Sequence, residues 1–264
     1  MRVMTIASGS SGNCVYAGDD TTHILIDAGI SRKKVEEGLK RLDLSLDDID
    51  AVLVTHEHSD HISGLGVLER KRAIPIYATG GTIQGIKDAP LGRLPEEIYH
   101  EVECKRTFSI GSLTIRAAAT SHDALCPCAY RVESGKKAFG LVTDLGTYGE
   151  DIIEAFFGVN CMVLEANHDI RMLETGSYPY PLKRRILGDK GHLSNESAGR
   201  LLDRLLGNSM QEILLGHLSK ENNYPNLAYE TVKTEIDMSG SEFHSRDFKI
   251  GVAGRDVPSH IITL

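Results

Sequence analysis

Short apolar runs alternate along this chain with amphipathic stretches, and the alternation predicts strands and helices in turn. The first 30 residues read as a hairpin with a third strand, from 3–7, 14–17 and 23–29, its first two strands joined by Ser8-Gly9-Ser10-Ser11-Gly12-Asn13. That connection is longer than the two to five residues usual for hairpins. Its glycines, serines and asparagine suit either an irregular turn or a small nest for a phosphate or substrate. Residues 31–42 carry apolar positions at helical spacing, 46–49 a helical turn, 51–54 a buried strand, 61–72 a helix, 75–78 a strand and 80–87 a helix. Two or three strands are expected over 98–120, and a hairpin over 129–133 and 137–143. A strand over 161–168 follows, then a segment 179–187, a helix over 197–206 with Ser194 or Asn195 as its cap, a strand over 212–216, a helix near 227–238 and a last strand over 248–252. Local pattern by itself gives a mixed α/β chain, expected to fold as a single domain over residues 1–264.

The buried run at 51–54 ends in the most informative stretch, Thr55-His56-Glu57-His58-Ser59-Asp60-His61. In an extended segment residues i and i+2 share a face, so His56 and His58 can serve one ion, while Asp60 and His61 enter a turn and offer a carboxylate and an imidazole to another. Imidazole and carboxylate without thiolate suit Zn²⁺, Mn²⁺ or Fe²⁺ and argue against a structural cysteine site.

Other strands deliver chemistry in the same way. Residues 113–120 lead into Ser121-His122-Asp123, 137–143 into Asp144, 161–164 into Glu165, and 212–216 into His217. His192 and His217 compete for a last ligand position. His217 follows an apolar strand directly, whereas His192 sits at a helix entrance, where a catalytic imidazole would be useful. The triplet Lys183-Arg184-Arg185 can hold a phosphate backbone or form a solvated helix face.

Composition narrows the picture at three points. With 41% hydrophobic residues in 264, the chain can bury a large core. A formal charge of −8 excludes a broadly basic nucleic-acid surface and makes any such contact local. Five cysteines, an odd number, without a signal-like N-terminus or an apolar run long enough to span a bilayer, point to free thiols, no membrane association and a cytoplasmic protein.

The run His56-Glu57-His58-Ser59-Asp60-His61 after a short strand resembles the hallmark of the metallo-β-lactamase superfamily. The resemblance implies a four-layer αββα sandwich with a cleft at the strand ends and two divalent metal ions, one held by His56, His58 and His122 and the other by Asp60, His61 and His217. Asp144 would bridge them, and Asp27 would support the metal-binding loop. It also implies hydrolysis, with Asp60, His192 and Glu165 as catalytic candidates. Glu165 with His192 resembles the pair in transfer-RNA-processing phosphodiesterases, where the imidazole protonates the leaving oxygen and the carboxylate orients it.

Further along, the loop at 8–13, Lys183-Arg184-Arg185, Gly191-His192-Leu193-Ser194-Asn195 and His217-Leu218-Ser219-Lys220-Glu221-Asn222-Asn223 resemble the bacterial YycJ (WalJ) family of metallo-hydrolases. That likeness implies metal-dependent 5′-to-3′ exonuclease activity on DNA, with a role in mismatch repair, and makes Ser10, Ser11, Asn13, Lys183, Arg184, Arg185 and Asn222 candidates for substrate contact. Too little chain lies between Asp144 and His217 for the inserted domain of the β-CASP nucleases. No Gly/Pro-rich arm of the transfer-RNA endonucleases is evident, and too little follows His217 for the helical region of glyoxalase II enzymes. A hydrolase of small esters, thioesters or lactones is the alternative on the same ions.

Overall fold

The computed structural model describes residues 1–264, which divide into two compact units. Unit 1 comprises Met1–Ala119, Ala124–Lys137 and Gly254–Leu264; unit 2 comprises Thr120–Asp123 and Ala138–Ala253.

Unit 1 begins with β1 (Arg2–Ala7), β2 (Cys14–Gly18) and β3 (His23–Ile26), each antiparallel to the one before. From there the chain changes to parallel pairing, β3 with β4 (Ala51–Leu53), β4 with β5 (Ile76–Ala78) and β5 with β6 (Tyr99–Glu101). Parallel neighbours need crossovers, and helices supply them: α1 (Arg32–Lys40), α2 (Ser59–Ile62), α3 (Leu65–Lys71) and α4 (Gly80–Asp88). Ser31 caps α1 by accepting from the Lys34 N–H. Val35 and Leu39 of α1 join Met4, Ile6, Leu25, Val52, Leu65, Leu68 and Ile76 in one buried apolar cluster. A Cβ on Gly38 would lie 2.7 Å from the Ile6 side chain, so the absence of one lets α1 lie close on β1. A three-stranded antiparallel meander, β7 (Thr107–Ile110), β8 (Leu113–Ala119) and β9 (Cys128–Ser134), completes the ordered elements of this part of the unit.

In unit 2 the strands β10 (Lys137–Val142), β11 (Cys161–Glu165), β12 (Glu212–Gly216) and β13 (Lys249–Val252) are parallel in that order. β11 and β12 are buried throughout, as expected of near-continuous apolar strands in a parallel sheet. The unit's helices are α5 (Glu150–Phe156), α6 (Ile170–Thr175), α7 (Tyr180–Leu187), α8 (Asn195–Leu205) and α9 (Pro225–Met238). The chain then returns to unit 1, where β14 (Ile262–Thr263) pairs with β1.

The sequence pattern departs from the structure in a few places. The helix expected over 61–72 is two, α2 and α3, separated at Ser63-Gly64, and Asp60 and His61 stand inside α2. Apolar periodicity continues across the break, so it leaves no trace in the pattern. The strand expected over 161–168 ends at Glu165, where polar residues begin. Helices α5 and α6 and strand β14 are too short to raise a periodic signal.

One buried carboxyl makes a stability prediction. Glu69 in α3 is 4% exposed, its Oε2 accepts from the Ile74 N–H at 2.8 Å, and Oε1 has no hydrogen-bond partner. Burial, against the opposing pull of Arg72, pushes its pKa from 4.5 up to about 7. A pKa raised by folding means that this carboxyl stabilises the fold fully below pH 4.5, and that the contribution is lost as pH rises through 7. Glu69→Gln, which keeps an acceptor and removes the charge, is expected to gain on the wild type by roughly 3 kcal/mol between pH 4.5 and pH 8. Urea denaturation at the two pH values measures it; a difference independent of pH would rule out the ionised carboxylate as the cause.

Candidate functional site

Polar residues collect where parallel strands end, as ligands do in open α/β sheets. In unit 1, β3 runs into Asp27 and β4 into Thr55 and His56; in unit 2, β10 runs into Asp144, β11 ends on Glu165 and β12 runs into His217. Three of these, Asp27 (φ 61°), Asp144 (φ 58°) and His217 (φ 55°), adopt the left-handed backbone region. Non-glycine residues there carry a cost of order 1 kcal/mol, which persists where the surroundings and the side chain's task require the turn.

Unit 1 builds its cluster on the segment after β4. His56 and His61 are buried, His58 and Asp60 half-buried. The His56 ring lies 4.6 Å from that of His58 and 4.1 Å from that of His61, centroid to centroid. Asp27 fixes the arrangement from below: one carboxylate oxygen accepts from the Thr55 N–H at 2.8 Å, the other pairs with His61 Nδ1 at 2.8 Å. With Nδ1–H given to a carboxylate, the His61 ring keeps its Nε2 lone pair, the form that binds metal. Gly29 is required here, because a Cβ on it would lie 1.7 Å from the Asp60 carbonyl oxygen.

Asn13 closes the cluster from the loop at 8–13. Its backbone N–H donates to Asp60 O at 2.8 Å, and its side-chain amide nitrogen lies 3.1 Å from His61 Nε2 and 3.4 Å from Asp60 Oδ2. Its side-chain oxygen accepts from Gly9 N–H at 2.8 Å. Asn13 is thus buried and ties its loop to the segment carrying Asp60 and His61. Ser10 and Ser11, at the tip of the same loop, are exposed.

Unit 2 is organised by Glu165, which is fully buried. Its Oε1 accepts from His192 Nδ1 at 2.8 Å and from His217 Nδ1 at 2.9 Å. Its Oε2 accepts from the backbone N–H groups of Leu145 and Leu193, each at 3.0 Å. Burial by itself would raise this carboxyl, but the charge of His192 and the two imidazole hydrogen bonds outweigh it and hold it well below the usual range. The same pairing, against burial, lifts His192 above its ordinary value. Asp144 Oδ1 stands 3.6 Å from His122 Nε2 and from the Nδ1 atoms of His192 and His217. His122 gives its Nδ1 to the Gly191 carbonyl at 3.0 Å, and burial lowers its pKa, which favours the neutral imidazole that a metal requires.

A metal ion fits this donor chemistry. His61, His122 and His217 each have Nδ1 engaged by an oxygen acceptor, the arrangement in which Nε2 is the nitrogen that can bind a metal. Within unit 2, one donor atom each of Asp144, Glu165, His192 and His217 fall within 4.8 Å of one another. Glu165 has both oxygens committed to hydrogen bonds, two of them from the imidazoles of His192 and His217.

The remaining candidates fall outside these clusters or take structural roles. Lys183 donates to the carbonyls of Glu174 and Gly176 at 2.8 and 2.7 Å, which closes the end of α6. Arg185 pairs with both oxygens of Asp123, at 2.5 and 3.0 Å, beside His122. Arg184 is exposed. Asn222 is 1% exposed, with its backbone N–H bonded to Ser219 Oγ at 3.2 Å and its side-chain nitrogen without a hydrogen-bond partner. The sequence reading gave Asn167, Asn195 and Asn223 no role in the site. Asn167 donates to the His217 carbonyl at 2.9 Å, and Asn223 donates to Ala166 O at 2.9 Å and to Asn195 Oδ1 at 2.8 Å. Their recurrence at strand ends and helix starts was the available signal. No helix is long and apolar enough to cross a membrane.

Comparison with known proteins agrees with this picture. A family model described as a β-lactamase superfamily domain matches residues 22–217. Exodeoxyribonuclease WalJ of Streptococcus pneumoniae is 41% identical over 232 residues, 88% of this chain and 86% of that protein. Exodeoxyribonuclease YycJ of Bacillus anthracis is 37% identical over 258 residues, 95% and 97% of the two chains. Among solved structures, the metallo-β-lactamase fold protein YhfI from Bacillus subtilis aligns over 98% of both chains with a TM-score of 0.69 at 17% identity. Zn²⁺-bound PqqB from Methylobacterium extorquens aligns over 100% of both with a TM-score of 0.72 at 15% identity. These two establish the metallo-β-lactamase fold, the α/β class that the sequence led us to expect. Since the family model spans most of the chain and relatives at 41% and 37% identity align over 86% and 97% of their own lengths, the chain belongs to the metallo-β-lactamase superfamily, in the group that contains WalJ and YycJ.

Proposed function

We propose that this chain is a two-metal phosphodiesterase that removes nucleotides from DNA ends in the 5′-to-3′ direction. The observation that carries the reading is the 2.8 Å pair of His192 with the buried Glu165, in a chain whose near-full-length relatives carry exodeoxyribonuclease names. A phosphodiester expels a poor alkoxide, and a protonated imidazole beside it is the group that such a reaction needs. Small activated esters need no such donor.

The ligands proposed are His56, His58 and His122 for one ion and Asp60, His61 and His217 for the other, with Asp144 shared; Zn²⁺, Mn²⁺ and Fe²⁺ all suit that set. Ions held there would supply Lewis acidity, lowering the pKa of water and offsetting charge on the phosphoryl oxygens. The chain's own residues do the rest. Asp27 and Glu165 hold His61 and His217 in one tautomer, so that Nε2 is the ligand atom of each. His192, its Nδ1–H held by Glu165, presents Nε2–H when protonated and passes that proton to the leaving oxygen. The family match runs through both units, which supports reading residues 1–264 as one functional domain. DNA as substrate supports a cytoplasmic place of work.

End-labelled duplex DNA tests the reading, with metal-free protein resupplied with Mn²⁺ or Zn²⁺. Stepwise release of nucleotides from the 5′ end is expected. His192→Ala is expected to slow that release about a hundredfold or more, and to slow a nitrophenyl phosphodiester, whose leaving group needs no proton, only a fewfold. Turnover of thioesters or lactones with DNA left intact would move the protein to the small-molecule hydrolases.

A further inference from the structure

The proposed reaction needs a place for the rest of the strand, and in an acidic protein that place has to be local. Helix α7 of unit 2 supplies it. The helix buries Ile186 and half-buries Leu182 and Lys183, while Tyr180, Arg184 and Leu187 are exposed. Positions i, i+4 and i+7 fall on one helical face, so these three side chains form a stripe. Tyr180 is 72% exposed and Leu187 44%, two of the eight large hydrophobic side chains that the chain leaves in solvent. Arg184 stands between them. Lys183 and Arg185 are bound to other groups of the chain, whereas the Arg184 guanidinium makes no hydrogen bond or ion pair, and the Tyr180 side chain no hydrogen bond or ring contact.

The stripe runs toward the proposed proton donor. The turn after α7 folds back on the end of the helix: Gly191 N–H donates to Gly188 O at 2.8 Å and His192 N–H to Ile186 O at 3.0 Å. A Cβ on Gly191 would lie 2.1 Å from Ile186 O, so a bare glycine lets the turn close this tightly. The Gly191 carbonyl also accepts from His122 Nδ1 at 3.0 Å, and Arg185 of α7 holds Asp123. At a rise of about 1.5 Å per residue, Arg184 lies roughly 3 Å along the axis from Ile186, and Tyr180 roughly 9 Å.

We propose that this face of α7 is a rest for an unpaired segment of the DNA strand, with the Tyr180 ring stacked on a base and Arg184 on a phosphate beside it. The inference rests on the phosphodiesterase reading and deepens it. Proteins that track single strands combine aromatic rings with cations, because every base has a π-face and every nucleotide a phosphate. A base inside a duplex has both faces covered by its neighbours. The platform therefore favours ends that are single-stranded or opened, and gives nothing to a phosphodiester that lacks a nucleobase.

That distinction sets the experiment. Tyr180→Ala, Tyr180→Phe and Arg184→Gln are compared with wild type in the metal-loaded enzyme. The substrates are a single-stranded oligonucleotide, the same oligonucleotide with an abasic site moved one position at a time from its 5′ end, and bis(p-nitrophenyl) phosphate. For Tyr180→Ala the ratio of kcat/KM on the oligonucleotide to that on the small diester is expected to fall about tenfold, mostly through KM, and Tyr180→Phe to keep it. In the wild type one abasic position is expected to cost a similar factor, and Tyr180→Ala to be indifferent to that position. For Arg184→Gln the slope of log KM against log salt is expected to shrink by about one phosphate contact. An unchanged ratio in Tyr180→Ala, or abasic and alanine losses that multiply at every position, overturns the platform, and an unchanged salt slope removes Arg184 from it. Each of these outcomes leaves the DNA reading standing. A wild type that cleaves the small diester and leaves the oligonucleotide intact overturns the DNA reading itself, and the platform with it.

Discussion

Asp60→Ala is expected to reduce hydrolysis of DNA by at least about a thousandfold, with the protein still folded and about one equivalent of metal lost. The two halves of that expectation have separate grounds. The carboxylate is one of the proposed metal ligands, and its side chain is 23% exposed, with contacts of 3.4 Å to Asn13 and to His61. What locks the segment in place is backbone, since the Asp60 carbonyl accepts from Asn13 N–H and packs against Gly29. Alanine keeps all of that. Metal content by mass spectrometry, a thermal melt of the metal-free protein and turnover together decide the matter. A variant that binds the full complement of metal, or retains turnover near that of the wild type, would remove Asp60 from the ligand set.

How much of this was legible in the sequence depends on whether the signal was local. The run His56-Glu57-His58-Ser59-Asp60-His61 after a buried strand could be read at once, because ligand spacing and strand burial are both properties of neighbouring residues. The same holds for Ser194 as the cap of α8, whose hydroxyl accepts from Ser197 N–H. What a polar side chain bonds to across the fold could not be read. Lys183 and Arg185 look alike in a basic triplet, yet one closes α6 and the other grips Asp123. Asn13 and Asn222 look like loop residues and are buried. Arg255 Nη1 reaches Ser10 Oγ at 3.4 Å across 245 positions, and no spacing rule reaches that far. The left-handed turns at Asp27, Asp144 and His217 were hidden for another reason. That conformation is usually announced by glycine or asparagine, and here the side chain's task overrides the backbone preference.

Those turns put unusual weight on the residue that receives them. Glu165 accepts four hydrogen bonds from groups that β10, β12 and the entrance to α8 bring to it. Glu165→Ala leaves two imidazole N–H groups and two backbone N–H groups buried without an acceptor. At roughly 1–3 kcal/mol for each orphaned group, the expected loss of stability is on the order of 4 kcal/mol or more. Glutamine does not repair it, although it fits the space. An amide has one oxygen and one nitrogen, so whichever way it turns, either the two imidazoles or the Leu145 and Leu193 amides face an N–H₂ group. Glu165→Gln is therefore expected to fold with reduced stability and to lose DNA hydrolysis by about a hundredfold or more, since His192 and His217 are no longer held in one tautomer. The nitrophenyl phosphodiester separates the two effects: a loss there as well reports on His217, whereas His192→Ala alone is expected to spare it. If Glu165→Gln matched the wild type in denaturant midpoint and in both activities, the carboxylate would be a bystander, and the tautomers of both histidines would have to be set by something else.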